Sequence, residues 1–285
     1  MRFKFGVDSF IWSEKFTLND LWIVAKAKAL GFECVDFAIS DPFCFPTAEV
    51  KKELERVGID CVCTTTLTAE TNPISPDPAV RASALKAMKK CVDICNELHS
   101  PILGGVNYAA WGYLTRKPRT RQEWDWGVAN MREACAYAAH TGDVTICVEC
   151  VNRFETHFLN IAEDAVRFCK DVGTDNIKVH LDCFHMIREE KSFTGAVQTC
   201  GKKYLGYIHV NENDRGIPGT VLVPFREFFR AVADVGYEGP LVIESFDIKF
   251  TELAGNCAIW RKLAESGEDL AVQGLANLRA VAETV

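Results

Sequence analysis

The stretch AEDAVRFCKDVGTDNIKVHLD, residues 162–182, carries a helix and a strand in a single line. Ala162, Ala165, Val166, Cys169 and Val172 recur at three- and four-residue steps, the apolar stripe of an amphipathic helix. Gly173 follows as a helix stop, because glycine takes the left-handed conformation without Cβ strain. Ile177–Asp182 then reads as a short strand closed by a carboxylate. Outward from this unit the pattern repeats. Strand-like runs at Phe3–Val7, Cys34–Ile39, Cys61–Thr66, Ile102–Val106, Thr145–Glu149, Tyr204–Val210 and Leu241–Ser245 bring the number to eight. Their starts lie roughly 27 to 44 residues apart, the length of a βα unit with its loops. Helical patterns cover Leu18–Leu30, Thr47–Val57, Val80–Leu98 and Trp124–His140, and a last packing helix covers Asp269–Val285. Gly31, Gly58 and Gly236 punctuate helix and strand as Gly173 does.

Parallel strands apolar on both faces fit an open doubly wound sheet or a closed barrel. The count of eight favours closure, and the Gly-x-Gly-x-x-Gly turn of a dinucleotide-binding sheet is absent. The expectation is an α/β chain forming one (β/α)8 TIM barrel over residues 1–285, with its active site at the C-terminal ends of the strands.

Composition narrows the function. Of 285 residues 48% are hydrophobic and 25% charged, which excludes disorder and leaves enough apolar side chain for a large core. Lys+Arg number 32 against 39 Asp+Glu, and a formal charge of -7 gives no reason to expect nucleic acid or an anionic membrane as partner. The 13 cysteines are an odd number scattered through strands and helices, which reads as small buried hydrophobes in a reducing cytoplasm. Neither a signal-peptide core nor a run of 18 apolar residues is visible, so a soluble cytoplasmic protein is expected. Cys147 and Cys150 form a C-x-x-C, but residues three apart on a strand point to opposite faces, which argues against a redox pair. No phosphate-binding glycine loop appears, and Arg116, Lys117, Arg119 and Arg121 read as a solvated loop.

What closes each strand is the informative question in a barrel. Strand five ends at Glu149, strand six at Asp182, strand seven at His209 and strand eight at Glu244. Three carboxylates and an imidazole form a hard-to-borderline donor set suited to Mn²⁺, Co²⁺ or Mg²⁺. Clustered carboxylates also raise one another's pKa unless a cation compensates them. Glu155 and His157, His185, and the run from Asn211 to Arg215 follow these strands closely and extend the constellation.

At these residues the sequence resembles a family. VECVNRFETH at 148–157, LDCFHM at 181–186, HVNENDRGIPG at 209–219 and IESF at 243–246 resemble the ketose 3-epimerases, the D-tagatose and D-psicose (D-allulose) 3-epimerase group of the xylose-isomerase-like barrels. Gly104-Gly105 with Trp111, and Ile259-Trp260-Arg261, extend the resemblance over the whole chain. It implies that Glu149, Asp182, His209 and Glu244 hold one divalent ion, usually Mn²⁺ or Co²⁺. It also implies that Glu155, His185 and Arg215 bind the O1–O2 end of the sugar, and that the chain is a homodimer or homotetramer. Val7 and Gly219-Thr220-Val221-Leu222 depart from the family pattern, which leaves the preferred ketose open.

Epimerising carbon 3 of a ketose needs a proton removed beside a carbonyl and one returned to the opposite face. Glu149 and Glu244, on strands five and eight of a closed ring, are the acid/base candidates, with a Lewis-acid cation stabilising the enediolate. Trp12, Trp111 and Phe246 are candidates for an apolar pocket wall against the sugar. Other readings of the same ligands are an aldose–ketose or hydroxypyruvate isomerase, an inosose dehydratase and a non-catalytic sugar-binding barrel. An abasic-site nuclease on this fold would want more histidine and a basic face than 6 His and a charge of -7 provide.

Overall fold

In the structure, a computed structural model that describes residues 3–285, parallel strands close into a barrel in the order β1 to β8. The strands are β1 (Lys4–Asp8), β2 (Cys34–Ile39), β3 (Asp60–Thr65), β4 (Ile102–Gly104), β5 (Thr145–Glu149), β6 (Ile177–Asp182), β7 (Leu205–His209) and β8 (Pro240–Ile243). Every strand pair is parallel, and β1 closes on β8 through Lys4↔Pro240 to Val7↔Ile243.

Outside the barrel run α1 (Trp22–Ala29), α2 (Thr47–Val57), α3 (Pro78–Leu98), α4 (Arg121–Thr141) and α5 (Ala162–Val172). Then come α6 (Cys183–Glu189), α7 (Phe193–Tyr204), α8 (Phe225–Asp234), α9 (Thr251–Asn256) and α10 (Gly267–Ala282). The helix stops at Gly58 and Gly173 take φ of 68° and 76°, the left-handed region in which a side chain would be strained. The segment expected to be helical over Leu18–Leu30 begins as a separate 3-10 turn at Leu18–Asp20, capped by Thr17 and Asp20, before α1 starts at Trp22. Strand β4 ends at Gly104, two residues before Val106, because Gly105 turns to φ 99°. A Cβ at Gly105 would lie 2.2 Å from the Thr65 carbonyl oxygen, so only glycine lets β4 leave the barrel there.

Because side chains alternate along a strand, each strand feeds two layers. Val35, Phe37, Leu103, Ile146, Val148, Val179, Ile208 and Ile243 belong to the main apolar core shared with the helices. Cys34, Val62, Ile102, Cys147, Tyr207 and Val242 form a separate apolar cluster, the plug of the barrel interior. Continuing those interior registers toward the C-terminal end brings Asp8, Asp36, Thr64, Glu149, His180, Asp182 and His209 inside, all buried. A barrel interior is ordinarily packed with branched apolar residues. Here the upper half is polar, and that half is the floor of the site.

The cysteines fit the reading of small hydrophobes. All thirteen are free, most are buried, and Cys147 and Cys150 fall in different apolar clusters. Among the described residues no helix is long and apolar enough to cross a membrane.

Candidate active site

Glu149, Asp182 and His209 are the last residues of β5, β6 and β7, and Glu244 is the first residue beyond β8. The parallel register that pairs Glu149 with His180 and Asp182 with His209 delivers them to one level. His209 Nδ1 lies 3.8 Å from both Asp182 Oδ2 and Glu244 Oε2. Asp182 links this trio to Glu149 and His185, whose ligand atoms also gather within 4.8 Å. Glu149, His209 and Glu244 together line a cavity of about 370 Å³ that extends toward Ser40, Thr65 and Thr68.

These residues fit a divalent ion. Donors each about 2.0–2.2 Å from an ion sit roughly 3–4 Å apart, the separation seen around His209. His209 Nδ1 is buried and has no hydrogen-bond partner, with the Asp182 and Glu244 carboxylates 3.8 Å away. The remaining carboxylate positions are held in place. Asp182 caps α6 by accepting from Phe184 N–H at 2.7 Å, and its other oxygen accepts from the Asn211 amide at 2.8 Å. Asn211 also donates to Glu244 at 3.2 Å and accepts from the Glu244 backbone N–H.

Electrostatics separate the groups. Burial raises the Glu149 carboxyl well above its ordinary range, and the neighbouring Glu244 and Asp182 charges add to this against His209 and Arg215. Burial also opposes ionisation of Asp182, but the neighbouring His209, His185 and Arg215 outweigh it and hold its carboxyl low. Burial likewise disfavours a charged His209, yet Glu244, Asp182 and Asp36 overcome that and raise its pKa.

Beside this cluster lies a second set. His185 Nδ1 accepts from the Asn152 backbone N–H at 3.1 Å, which places the ring proton on Nε2. Nε2 sits 3.7 Å from Glu149 and 4.0 Å from Glu155. Burial and the Arg215 charge lower the His185 pKa against Glu155 and Asp182, so a neutral ring presents a donor. Glu155 is oriented by Trp111, whose indole N–H donates to it at 2.7 Å, and by the Asn152 amide at 2.8 Å. Arg215 contacts Glu244 and is sandwiched between the rings of Phe184, 3.9 Å away, and Phe246, 4.7 Å away. Its backbone is left-handed, φ 61°, a conformation that costs energy for any residue but glycine. The loop around it tolerates this because buried Glu212 accepts from the N–H groups of Asn213, Gly219, Val221, Leu222 and Val223 at 2.9 to 3.4 Å. Ser245 also ties the Arg215 carbonyl down.

Other expected residues go elsewhere. Trp12 is buried, edge-on to Trp22, and, like Trp111 and Phe246, does not line the 370 Å³ cavity. His157 turns away to the Tyr113 carbonyl and Glu123. Asp214 pairs with Arg261 at 2.8 Å. In the basic loop Arg119 clasps Asp164 through two nitrogens and Arg121 pairs with Asp125. Sequence reasoning missed the layer beneath the ligands, formed by Asp8, Asp36, His180 and Tyr207. The available signal was an acid or histidine two residues before a ligand, or at the matching depth of an apolar strand, where it points into the barrel.

Comparison with known proteins places this geometry. The xylose isomerase-like TIM barrel family model matches residues 24–281. The D-psicose 3-epimerase of Ruminiclostridium cellulolyticum is 32% identical over 93% of this chain and 92% of its own length. The ketose 3-epimerase of Arthrobacter globiformis is 31% identical over 97% of this chain and 96% of its own. A crystal structure of D-allulose 3-epimerase from Methylomonas sp. in complex with D-allulose superposes with a TM-score of 0.93, at 30% identity, covering 98% of this chain and 97% of that one. The chain belongs to the xylose isomerase-like TIM barrel family and, within it, to the ketose 3-epimerase group of carbohydrate isomerases.

Proposed function

We propose that this protein epimerises free ketoses at carbon 3 by abstracting and returning a proton, with Glu149 and Glu244 as the acid/base pair. The observation that carries the reading is that both glutamates line one cavity with His209, while Asp182 and His185 stand beside them. Glu149, Asp182, His209 and Glu244 would hold a divalent ion, Mn²⁺, Co²⁺ or Mg²⁺ by the donor set, which would supply Lewis-acid chemistry at the sugar carbonyl. One glutamate takes the C3 proton and the other delivers a proton to the opposite face, the roles exchanging with direction. The His185 Nε2–H and the Arg215 guanidinium donate to the oxygen that gains charge at C2, and Glu155, fixed by Trp111 and Asn152, accepts from the O1 hydroxyl. Phe246 and Trp111 stand beside Arg215 and Glu155 as apolar wall for the sugar. A cytoplasmic homo-oligomer is the setting we infer, in keeping with thirteen free cysteines.

Incubating the protein and Mn²⁺ with a panel of ketohexoses and ketopentoses, followed by sugar chromatography, tests the reading. C3 epimers, such as D-psicose from D-fructose, are expected. Aldoses or dehydrated products as the main outcome would replace it with an isomerase or dehydratase on the same ligands.

A further inference from the structure

We propose that Asp36 is a positioning residue for the metal site: it grips His209 from inside the barrel and thereby fixes which ring nitrogen faces the ion. This rests on the reading of His209 as a ligand. Asp36 sits on β2, which is separated from β7 around the barrel by β1 and β8, so its contact with β7 crosses the interior. The contact is built from several sides. The Tyr207 hydroxyl donates to Asp36 Oδ2 at 2.5 Å, and His209 Nε2 lies 3.1 Å from the same oxygen. The Thr64 hydroxyl donates to Asp36 Oδ1 at 3.0 Å. Tyr207 reaches this position because Gly104 opposes its ring: a Cβ there would lie 2.8 Å from Tyr207 Cδ1. All four polar side chains are buried.

An imidazole can be turned over about its Cβ–Cγ bond, exchanging nitrogen for carbon at each edge. With Nε2–H committed to Asp36, the turned ring would lose that bond, so the network selects the orientation in which Nδ1 faces Asp182 and Glu244. A carboxylate on the far nitrogen also makes a ligating imidazole more basic, and losing such a partner typically costs ~10–100-fold in metal affinity. Asp36 and Tyr207 touch no expected substrate group, so their contribution runs through His209.

The test is Mn²⁺ titration followed by electron paramagnetic resonance, with thermal unfolding and the visible spectrum of the Co²⁺ form alongside. Asp36→Asn keeps the shape and an oxygen for Tyr207 and His209 but removes the charge; Tyr207→Phe removes one donor and leaves Asp36 held by Thr64 and His209 alone. Wild type should bind one Mn²⁺. Asp36→Asn should bind it about 10-fold more weakly or worse, within the range for a lost partner of a ligand, with an altered Co²⁺ spectrum; Tyr207→Phe, which keeps Asp36, should bind it at least about 3-fold more weakly. A folded Asp36→Asn with affinity within about twofold of wild type overturns the proposal, since a merely structural Asp36 lowers the melting temperature without moving metal affinity. Should Asp36→Asn not fold, Tyr207→Phe decides by the same twofold criterion. Two Mn²⁺ per wild-type chain also overturns it, because Asp36 would then be a ligand with Asp8. Wild type that takes up no Mn²⁺ brings down the metal-site reading itself, whereas wild-type binding with unchanged variants brings down the role of Asp36 alone.

Discussion

Replacing Glu212 with Gln should loosen the loop that presents Arg215 without touching any metal ligand. One carboxylate oxygen accepts from Asn213, Leu222 and Val223 at 2.9 to 3.1 Å, and the other from Gly219 at 3.0 Å and Val221 at 3.4 Å. A glutamine keeps its carbonyl best on the three-donor side, which turns its own NH₂ against the Gly219 and Val221 amides. Each buried donor left without an acceptor costs about 1–3 kcal/mol, so with two such donors the variant should lose roughly 2–6 kcal/mol. At roughly 2–4 °C per kcal/mol for a chain of this size, the melting temperature should fall by about 4–24 °C. Hydrogen exchange at Gly219 and Val223 should quicken, and KM should rise more than kcat falls as the left-handed Arg215 loses its frame. A melting temperature within about 2 °C of wild type, with those amides still protected, would refute the argument that Glu212 organises the loop.

Glu149→Gln and Glu244→Gln should each lower turnover by more than the ~10²–10⁴-fold typical of general acid–base catalysis, since a ligand and a base are lost together; a variant keeping about a tenth of wild-type rate rules out the two-base assignment. Chelation should abolish activity and lower the melting temperature, with Mn²⁺ or Co²⁺ restoring both. An ion at about 100 times its dissociation constant stabilises the native state by ~2.7 kcal/mol, and fully active protein shown by metal analysis to be ion-free sinks the metal reading. Burial works against an ionised Glu155, but His185, Arg215, Trp111 and Asn152 outweigh it and depress its pKa. Its stabilisation is therefore complete above the ordinary Glu value and lost as pH falls through the lower folded value. Urea unfolding should show a shallower acid limb for Glu155→Gln than for wild type; parallel limbs contradict the shift.

The barrel was legible because its strands are buried on both faces and so read as short apolar runs, each fed by a helix that a glycine ends. The ranges Cys34–Ile39, Thr145–Glu149 and Ile177–Asp182, and the helices Thr47–Val57 and Ala162–Val172, stand in the structure as the sequence pattern places them. Strand ends were harder to read where local backbone decides, as at Gly105, whose turn shortens β4. Among site residues, those that close a strand were visible as polar residues at the end of an apolar run. Asp36 and Tyr207 were not, because their meaning lies in a contact between strands 171 residues apart in sequence. Glu212 was visible only as one polar residue in a polar loop; its five backbone partners come from the fold of that loop around it.

The measurement that bears most directly on proton transfer at carbon 3 is the reaction run in D₂O with Mn²⁺ present, the product examined by NMR under single-turnover conditions. If Glu149 and Glu244 take and return different protons through an enediolate, the epimeric ketose should carry deuterium at C3, because a carboxylate that has gained a proton can exchange it with solvent before delivering one. An aldose product with no deuterium at C3 would contradict the account and point to hydride transfer between C1 and C2 on the same barrel.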